Sequence, residues 1–140
     1  MCGELDDDIQ LDQDIFQRFL RIARHHGVVP RDDQEPLPDL EEAAGRSAYM
    51  DTLFSAGLVR AVSDTAAAPE GQRVEAIAAQ AIALARLAGF LAGQLPPEAD
   101  LFRAAIEALT DGYAMPVRTA EALRHDHEHH HGHSDHDHKH

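Results

Sequence analysis

The chain has 140 residues, and its 25 acidic and 12 basic residues give a formal net charge of −13 at pH 7. This length fits one domain, and a hydrophobic content of 44% is enough to form a core. The negative charge excludes nucleic acid and anionic membrane surfaces as expected partners, because both are bound by clustered Lys and Arg. With only one cysteine, Cys2, the chain has no intramolecular disulfide framework.

Neither the N-terminal sequence nor the longest apolar stretch predicts a targeting or membrane segment. The N-terminus lacks a basic region followed by an apolar stretch, so it does not match a secretory signal. The longest apolar stretch, residues 74–95, is interrupted by polar and charged residues: Glu75, Gln80, Arg86 and Gln94. We therefore expect a cytoplasmic protein that does not cross a membrane.

The first predicted helix covers residues 8–26. Its apolar residues fall on one half of a helical wheel, namely Ile9, Leu11, Ile15, Phe16, Phe19, Leu20, Ile22 and Ala23. Asp6 to Asp8 are expected to cap its N-terminus, and Gly27 and Pro30 to end it. Residues 28–38 contain three prolines and an acidic cluster, which predicts a linker.

A second helix is predicted from Asp39, which with Glu42 resembles a capping box, to about Val62. Gly45 and Gly57 are candidate interruptions of it. Its expected inward residues are Tyr49, Leu53 and Phe54, and residues 63–71 are expected to form a second break.

The third predicted helix, about residues 70–95, has the clearest periodicity. Its inner arc is rich in Ala and Gly, with Val74, Ile77, Ala78, Ala81, Ile82, Ala85, Ala88, Gly89, Ala92 and Leu95. Its polar arc contains Arg73, Glu75, Gln80, Arg86 and Gln94. Leu87 and Phe90 lie on the polar side, which indicates a second contact surface.

Pro96 and Pro97 break the chain again, with Pro97 suited to the first turn of the next helix. A helical face follows at Leu101, Phe102, Ala105, Ile106 and Leu109. Asp111-Gly112 is expected to stop this helix, and residues 116–124 to form a short last one. The sequence therefore predicts an all-α domain at residues 1–124, a small bundle of four to five helices, followed by a disordered tail at residues 125–140.

The tail reads HDHEHHHGHSDHDHKH, and nine of its sixteen residues are histidine. Neutral imidazole is the commonest protein ligand for zinc, nickel, copper and cobalt. In an extended chain, alternate residues project on the same side, which would put rows of imidazoles opposite the carboxylates. The candidate metal ligands are His125, His127, His129, His130, His131, His133, His136, His138 and His140.

The sequence does not encode the choice of metal. The expected ion is Ni²⁺ or Zn²⁺, and Co²⁺ or Cu²⁺ is compatible with the same ligands. The segment 125–140 resembles the histidine-rich extensions of accessory proteins that supply nickel to hydrogenase, urease or carbon monoxide dehydrogenase. The resemblance covers only this segment. Nothing matches GxxxxGK[ST], so a GTP-dependent metal insertase is excluded on this chain.

Two other places are candidate sites. His26 is expected at the edge of the apolar face of the first helix, with His25 facing solvent, and His26 could join a carboxylate from another helix in a second metal site. Cys2 could chelate a metal with a freed N-terminal amine, act as a nucleophile, or be an exposed thiol without function.

The expected function is that of a cytoplasmic, non-enzymatic metal-binding protein. It would be a chaperone or store that delivers a divalent transition metal to a client metalloenzyme or other protein. The small residues on the third helix are expected to serve ordinary packing within the chain, and a homodimer is the alternative. The alternative is a helical protein-interaction or regulatory subunit whose tail is accessory. No GxSxG pattern or distinctive Ser/His/Asp set favours an enzyme.

Overall fold

The computed structural model describes the backbone of residues 3–130 and the side chains of residues 6–127. This range contains helices and no strand, so the predicted all-α class is confirmed. The helices are α1 (Gly3–His25), α2 (Ala43–Ala67), α3 (Arg73–Ala92), a 3-10 turn (Pro97–Ala99) and α4 (Leu101–His130). The chain divides into two units, residues 1–94 and 95–140.

Helix α1 begins earlier than predicted, and this changes the role of its acidic residues. Asp6 to Asp8 lie inside the helix, whose first residue is Gly3, so the prediction that they form the N-cap is wrong. Asp6, the fourth residue of the helix, still lies close to the positive end of the helix dipole, where a negative charge is favourable.

The C-terminus of α1 is a Schellman motif, which confirms Gly27 as the residue that ends the helix. The Val28 N–H donates to the Ala23 carbonyl at 2.9 Å, and the Gly27 N–H donates to the Arg24 carbonyl at 2.9 Å. Gly27 has a φ of +76°, a left-handed conformation that glycine adopts without steric cost.

We expect Gly27→Ala to destabilise the N-terminal unit by about 1–2 kcal/mol, the usual cost of a left-handed alanine. A Cβ at Gly27 would meet no atom within 4 Å, so the cost is conformational rather than steric. The matched control is Gly57→Ala, which also points into open space but lies within α2 and should stabilise it by about 1 kcal/mol. Urea unfolding followed by circular dichroism measures both changes, and equal midpoints for the two variants would contradict the assignment.

The connection between α1 and α2 has no regular secondary structure, as predicted for its proline-rich part, but the predicted capping box is not formed. Glu42 is the N-cap of α2 and makes no side-chain capping bond. The Asp39 carboxylate instead accepts the Glu41 N–H at 2.9 Å. Arg46 holds the turn by donating to the carbonyls of residues 40 and 41. Gly45 is required here because a Cβ would collide with the Asp39 carbonyl oxygen.

Helices α2 and α3 form a helical hairpin through a five-residue connection. The predicted interruptions at Gly45 and Gly57 do not occur, and α2 continues to Ala67. Gln80 was predicted on the solvent side of α3, but it is half-buried against α2. Its amide donates to the Ala61 carbonyl and to the Thr65 hydroxyl, both at 3.4 Å. The small residues of α2 allow this approach. The Gln80 amide can be half-buried there because it finds hydrogen-bond acceptors on α2.

Among residues 6–127, no side chain is buried, and large apolar side chains are exposed on every α-helix. Of the predicted inward residues of α2, Tyr49 is half-buried, whereas Leu53 and Phe54 are 54% and 55% exposed. Val74, on the predicted inner arc of α3, is 76% exposed. By length and composition alone, α3 is also apolar enough to cross a membrane.

In the C-terminal unit, α4 is one continuous helix where the sequence predicted two. The predicted stop at Asp111-Gly112 is wrong, because the helix runs through it and through Pro116. Pro116 has no N–H to donate to the Gly112 carbonyl. The Arg118 guanidinium donates to the neighbouring Asp111 carbonyl at 3.2 Å. Ala, Leu, Arg and Glu in the following turns favour helix and carry it onward.

Candidate functional site: the histidine-rich end of α4

The structure describes six of the sixteen residues of the histidine-rich segment, residues 125–130, and all six belong to α4. The side chains of His125 and His127 are exposed to solvent. His129 and His130 are placed in the helix by their backbone. The remaining predicted ligands lie outside the described residues, namely His131, His133, His136, His138 and His140.

The boundary predicted after Arg124 does not coincide with the end of a helix. For residues 125–130 the extended geometry is not observed, because α4 continues to His130. The disorder predicted for the segment as a whole stays a prediction, since residues 131–140 lie outside the described range.

Helical geometry changes which ligands share a side. In a helix, residues two apart point in nearly opposite directions, whereas residues three or four apart are neighbours. The row of alternate histidines expected for an extended chain is therefore not present at residues 125–130. Glu121 precedes His125 by four residues and is exposed, as is Asp126. This end of α4 offers imidazoles and carboxylates to solvent at the same time.

Among the described side chains, no three His, Cys, Asp or Glu residues are grouped closely enough to hold a metal ion. The second metal site considered at His26 is thus not assembled within residues 6–127. The His26 ring instead packs edge-on against Phe90 at 5.8 Å and against the His25 ring at 5.5 Å. Its predicted position at the edge of the apolar face is confirmed. Cys2 lies outside the described residues.

An apolar groove lies between α1 and α3 and has a volume of about 450 Å³. Phe90 lines it, and its ring centroid lies 6.4 Å from that of Phe19. The other lining residues are Phe19, Ala23, His26, Val28, Ala83, Arg86, Leu87 and Leu91. The second contact surface predicted from Leu87 and Phe90 therefore faces α1.

Reasoning from the sequence missed two patterns in the segment. Residues 127–131, HEHHH, match H-E-x-x-H, and residues 125–129, HDHEH, match H-x-x-E-H. On a helix, both patterns put two histidines four residues apart, which suits the binding of one zinc ion. The repeated histidines obscured them because the segment was treated as an extended chain. A helix-based spacing search would have found both.

No protein-family model matches the chain, and neither a curated protein nor a solved structure resembles it significantly.

Proposed function

We propose that the chain is a cytoplasmic, non-enzymatic metal-binding protein, a chaperone or store for Ni²⁺, Zn²⁺ or Co²⁺. One observation carries the proposal: nine of the last sixteen residues are histidine, and carboxylates are interspersed among them. Cu²⁺ is compatible with the same ligands. No other stretch of the sequence has a comparable density of histidines.

The chemistry of the segment favours capture and release. Each imidazole binds weakly alone, but the first ligand to bind an ion holds the others close to it, which raises their effective concentration. Interspersed carboxylates orient imidazoles and lower the electrostatic cost of holding several divalent ions. Since more ligands are present than one ion needs, an ion can move between ligand sets and pass to a client by ligand exchange.

We propose a non-enzymatic role although the segment contains the H-E-x-x-H pattern. Hydrolytic zinc sites of this kind need three protein ligands, an open position for water, and a cleft for the substrate. His125 and His127 are exposed on a helix surface rather than held in a cleft. The pattern therefore supports binding of an ion more than activation of a water molecule.

The proposal is tested by counting the ions that the intact chain binds, using native mass spectrometry at pH 7.5. We expect two or more Ni²⁺ or Zn²⁺ ions per chain and none of Mg²⁺ or Ca²⁺ at the same concentration. Hard cations prefer oxygen ligands, so they report on the carboxylates alone. Equal uptake of Mg²⁺ and Ni²⁺ would contradict an imidazole site, as would uptake of no Ni²⁺, Zn²⁺ or Co²⁺.

The second candidate, a helical interaction subunit, is favoured by the exposed groove between α1 and α3. Contiguous apolar surface of this kind marks protein contacts. We propose a second copy of this chain as its occupant. Large apolar side chains of α1, α2 and α3 stay exposed after α2 and α3 have packed as a hairpin. Pairing with the same faces of a second copy would bury them in a helical bundle. The groove would then serve as the centre of a homodimer interface.

A further inference from the structure

The helical register of α4 divides the first histidines of the segment into two groups. Successive residues of an α-helix are rotated by about 100°, so residues four apart lie one turn apart on the same side. His125 and His129 have this relation, and α4 includes both positions. His127 is rotated by about 200° from His125 and falls on the opposite side of the helix.

Two acidic positions share the side of His125. Glu121 lies one turn before it, and Glu128 lies three residues after it, so positions 121, 125, 128 and 129 fall within an arc of about 100°. The side chains of Glu121 and His125 are exposed and form no ion pair within residues 6–127. They are therefore accessible to an incoming ion.

A helix lowers the cost of assembling a ligand set. In a flexible segment, each ligand loses backbone and side-chain freedom when it binds an ion, whereas in a helix the backbone is already ordered. Two histidines at the four-residue spacing on a helix are a recurrent zinc-binding arrangement. His136 and His140 have the same spacing in the sequence and lie outside the described residues.

This inference rests on the proposed metal-binding function and specifies where loading begins. We propose that the first divalent ion binds on the surface of α4 through His125 and His129, with a carboxylate of Glu121 or Glu128 as a further ligand. Ions bound later occupy the remaining histidines, which are His127 and those from residue 130 onward. The first ion also joins two successive turns of α4 and so stabilises the helix.

The experiment compares two double variants of the full chain, each lacking two histidines at a four-residue spacing. His125→Ala/His129→Ala is expected to weaken binding of the first Zn²⁺ by about tenfold or more, whereas His136→Ala/His140→Ala should change it by less than about threefold. Stepwise affinities come from calorimetric titration against a competing chelator. Equal losses in the two variants would overturn the assignment while leaving the proposed metal-binding function intact.

A third variant, Ala122→Gly/Leu123→Gly, keeps every ligand and weakens the helix, since glycine is a poor helix former. We expect it to lower the affinity for the first Zn²⁺ several-fold, and we expect one equivalent of Zn²⁺ to increase the helical circular dichroism of the unmodified chain. An unchanged first affinity would overturn the role of the helix. Failure of the unmodified chain to bind Zn²⁺ at all would instead overturn the proposed function together with this inference.

Discussion

Lowering the pH from 7.5 to 5.5 is expected to release the metal ions bound by the histidine-rich segment. A metal-bound imidazole must be neutral, and imidazole ordinarily titrates near pH 6.5. Below that pH, protons compete for every ligand. For a site with two histidines, two protons are taken up per ion released, so the affinity should fall by about 100-fold per pH unit once the pH is below about 6.

The direction of this effect separates imidazole from carboxylate ligands. Because the fraction of protonated imidazole rises as pH falls, affinity is lost toward acid and is nearly constant between pH 7.5 and 8.5. Carboxylates stay ionised at pH 5.5, since their ordinary pKa values are near 4. Equilibrium dialysis of the zinc-loaded chain at each pH measures the release. Full retention of zinc at pH 5.5 would show that carboxylates hold the ion and would contradict the proposed ligand set.

Leu87→Glu is expected to weaken self-association of the chain by at least about 100-fold. Leu87 lines the groove between α1 and α3 and is 51% exposed. Burial of a leucine side chain contributes about 1.5–3 kcal/mol. In a symmetric dimer the substitution removes this contribution twice, and each glutamate would also lose hydration if it were buried. Sedimentation velocity over a concentration series measures the dissociation constant.

The matched control is Gln72→Glu, which adds the same charge at the N-terminal end of α3, outside the groove. It should leave the dissociation constant unchanged, and circular dichroism should show that both variants keep their helices. A wild-type chain that is monomeric at 100 μM would contradict the proposed homodimer. A dimer that is equally weakened by the two substitutions would show that the effect is one of charge and that the groove is not the interface.

The local elements of the fold were largely predictable because the signals for them are local. Gly27 ends α1 because a glycine in the left-handed conformation closes the Schellman motif. Phe90 falls outside the main apolar arc of α3, and this position correctly indicated a second contact surface. Both predictions needed only side-chain periodicity or the conformational preference of one residue.

One error arose where two local signals competed, and another arose where a contact depended on a neighbouring helix. Asp111-Gly112 resembles a helix stop, but the helix-forming residues on both sides carry α4 through it. Gln80 was assigned to solvent by its polarity, yet its amide bonds to the carbonyl of Ala61 on α2. Such bonds depend on which helices become neighbours, and periodicity within one helix does not contain that information.

The candidate site was predicted in composition but not in geometry. The histidines themselves identify the chemistry, whereas their arrangement depends on whether residues 125–130 are extended or helical. Since α4 includes them, the relevant spacing is four residues rather than two. The four-residue spacing is present in HDHEH and HEHHH. Histidines of the segment also lie one, two and three residues apart, so the sequence alone did not single out the four-residue spacing.

The most direct test of the central claim is a calorimetric metal titration of two chains, the full chain and one ending at Arg124. Ni²⁺, Zn²⁺, Co²⁺ and Cu²⁺ are each titrated at pH 7.5, with reductant and a competing chelator to set the affinity scale. If the histidine-rich segment is the metal-binding device, the full chain binds two or more ions tightly and the shortened chain binds none. A tight site retained by the shortened chain would contradict the account and move the metal chemistry to the helical body.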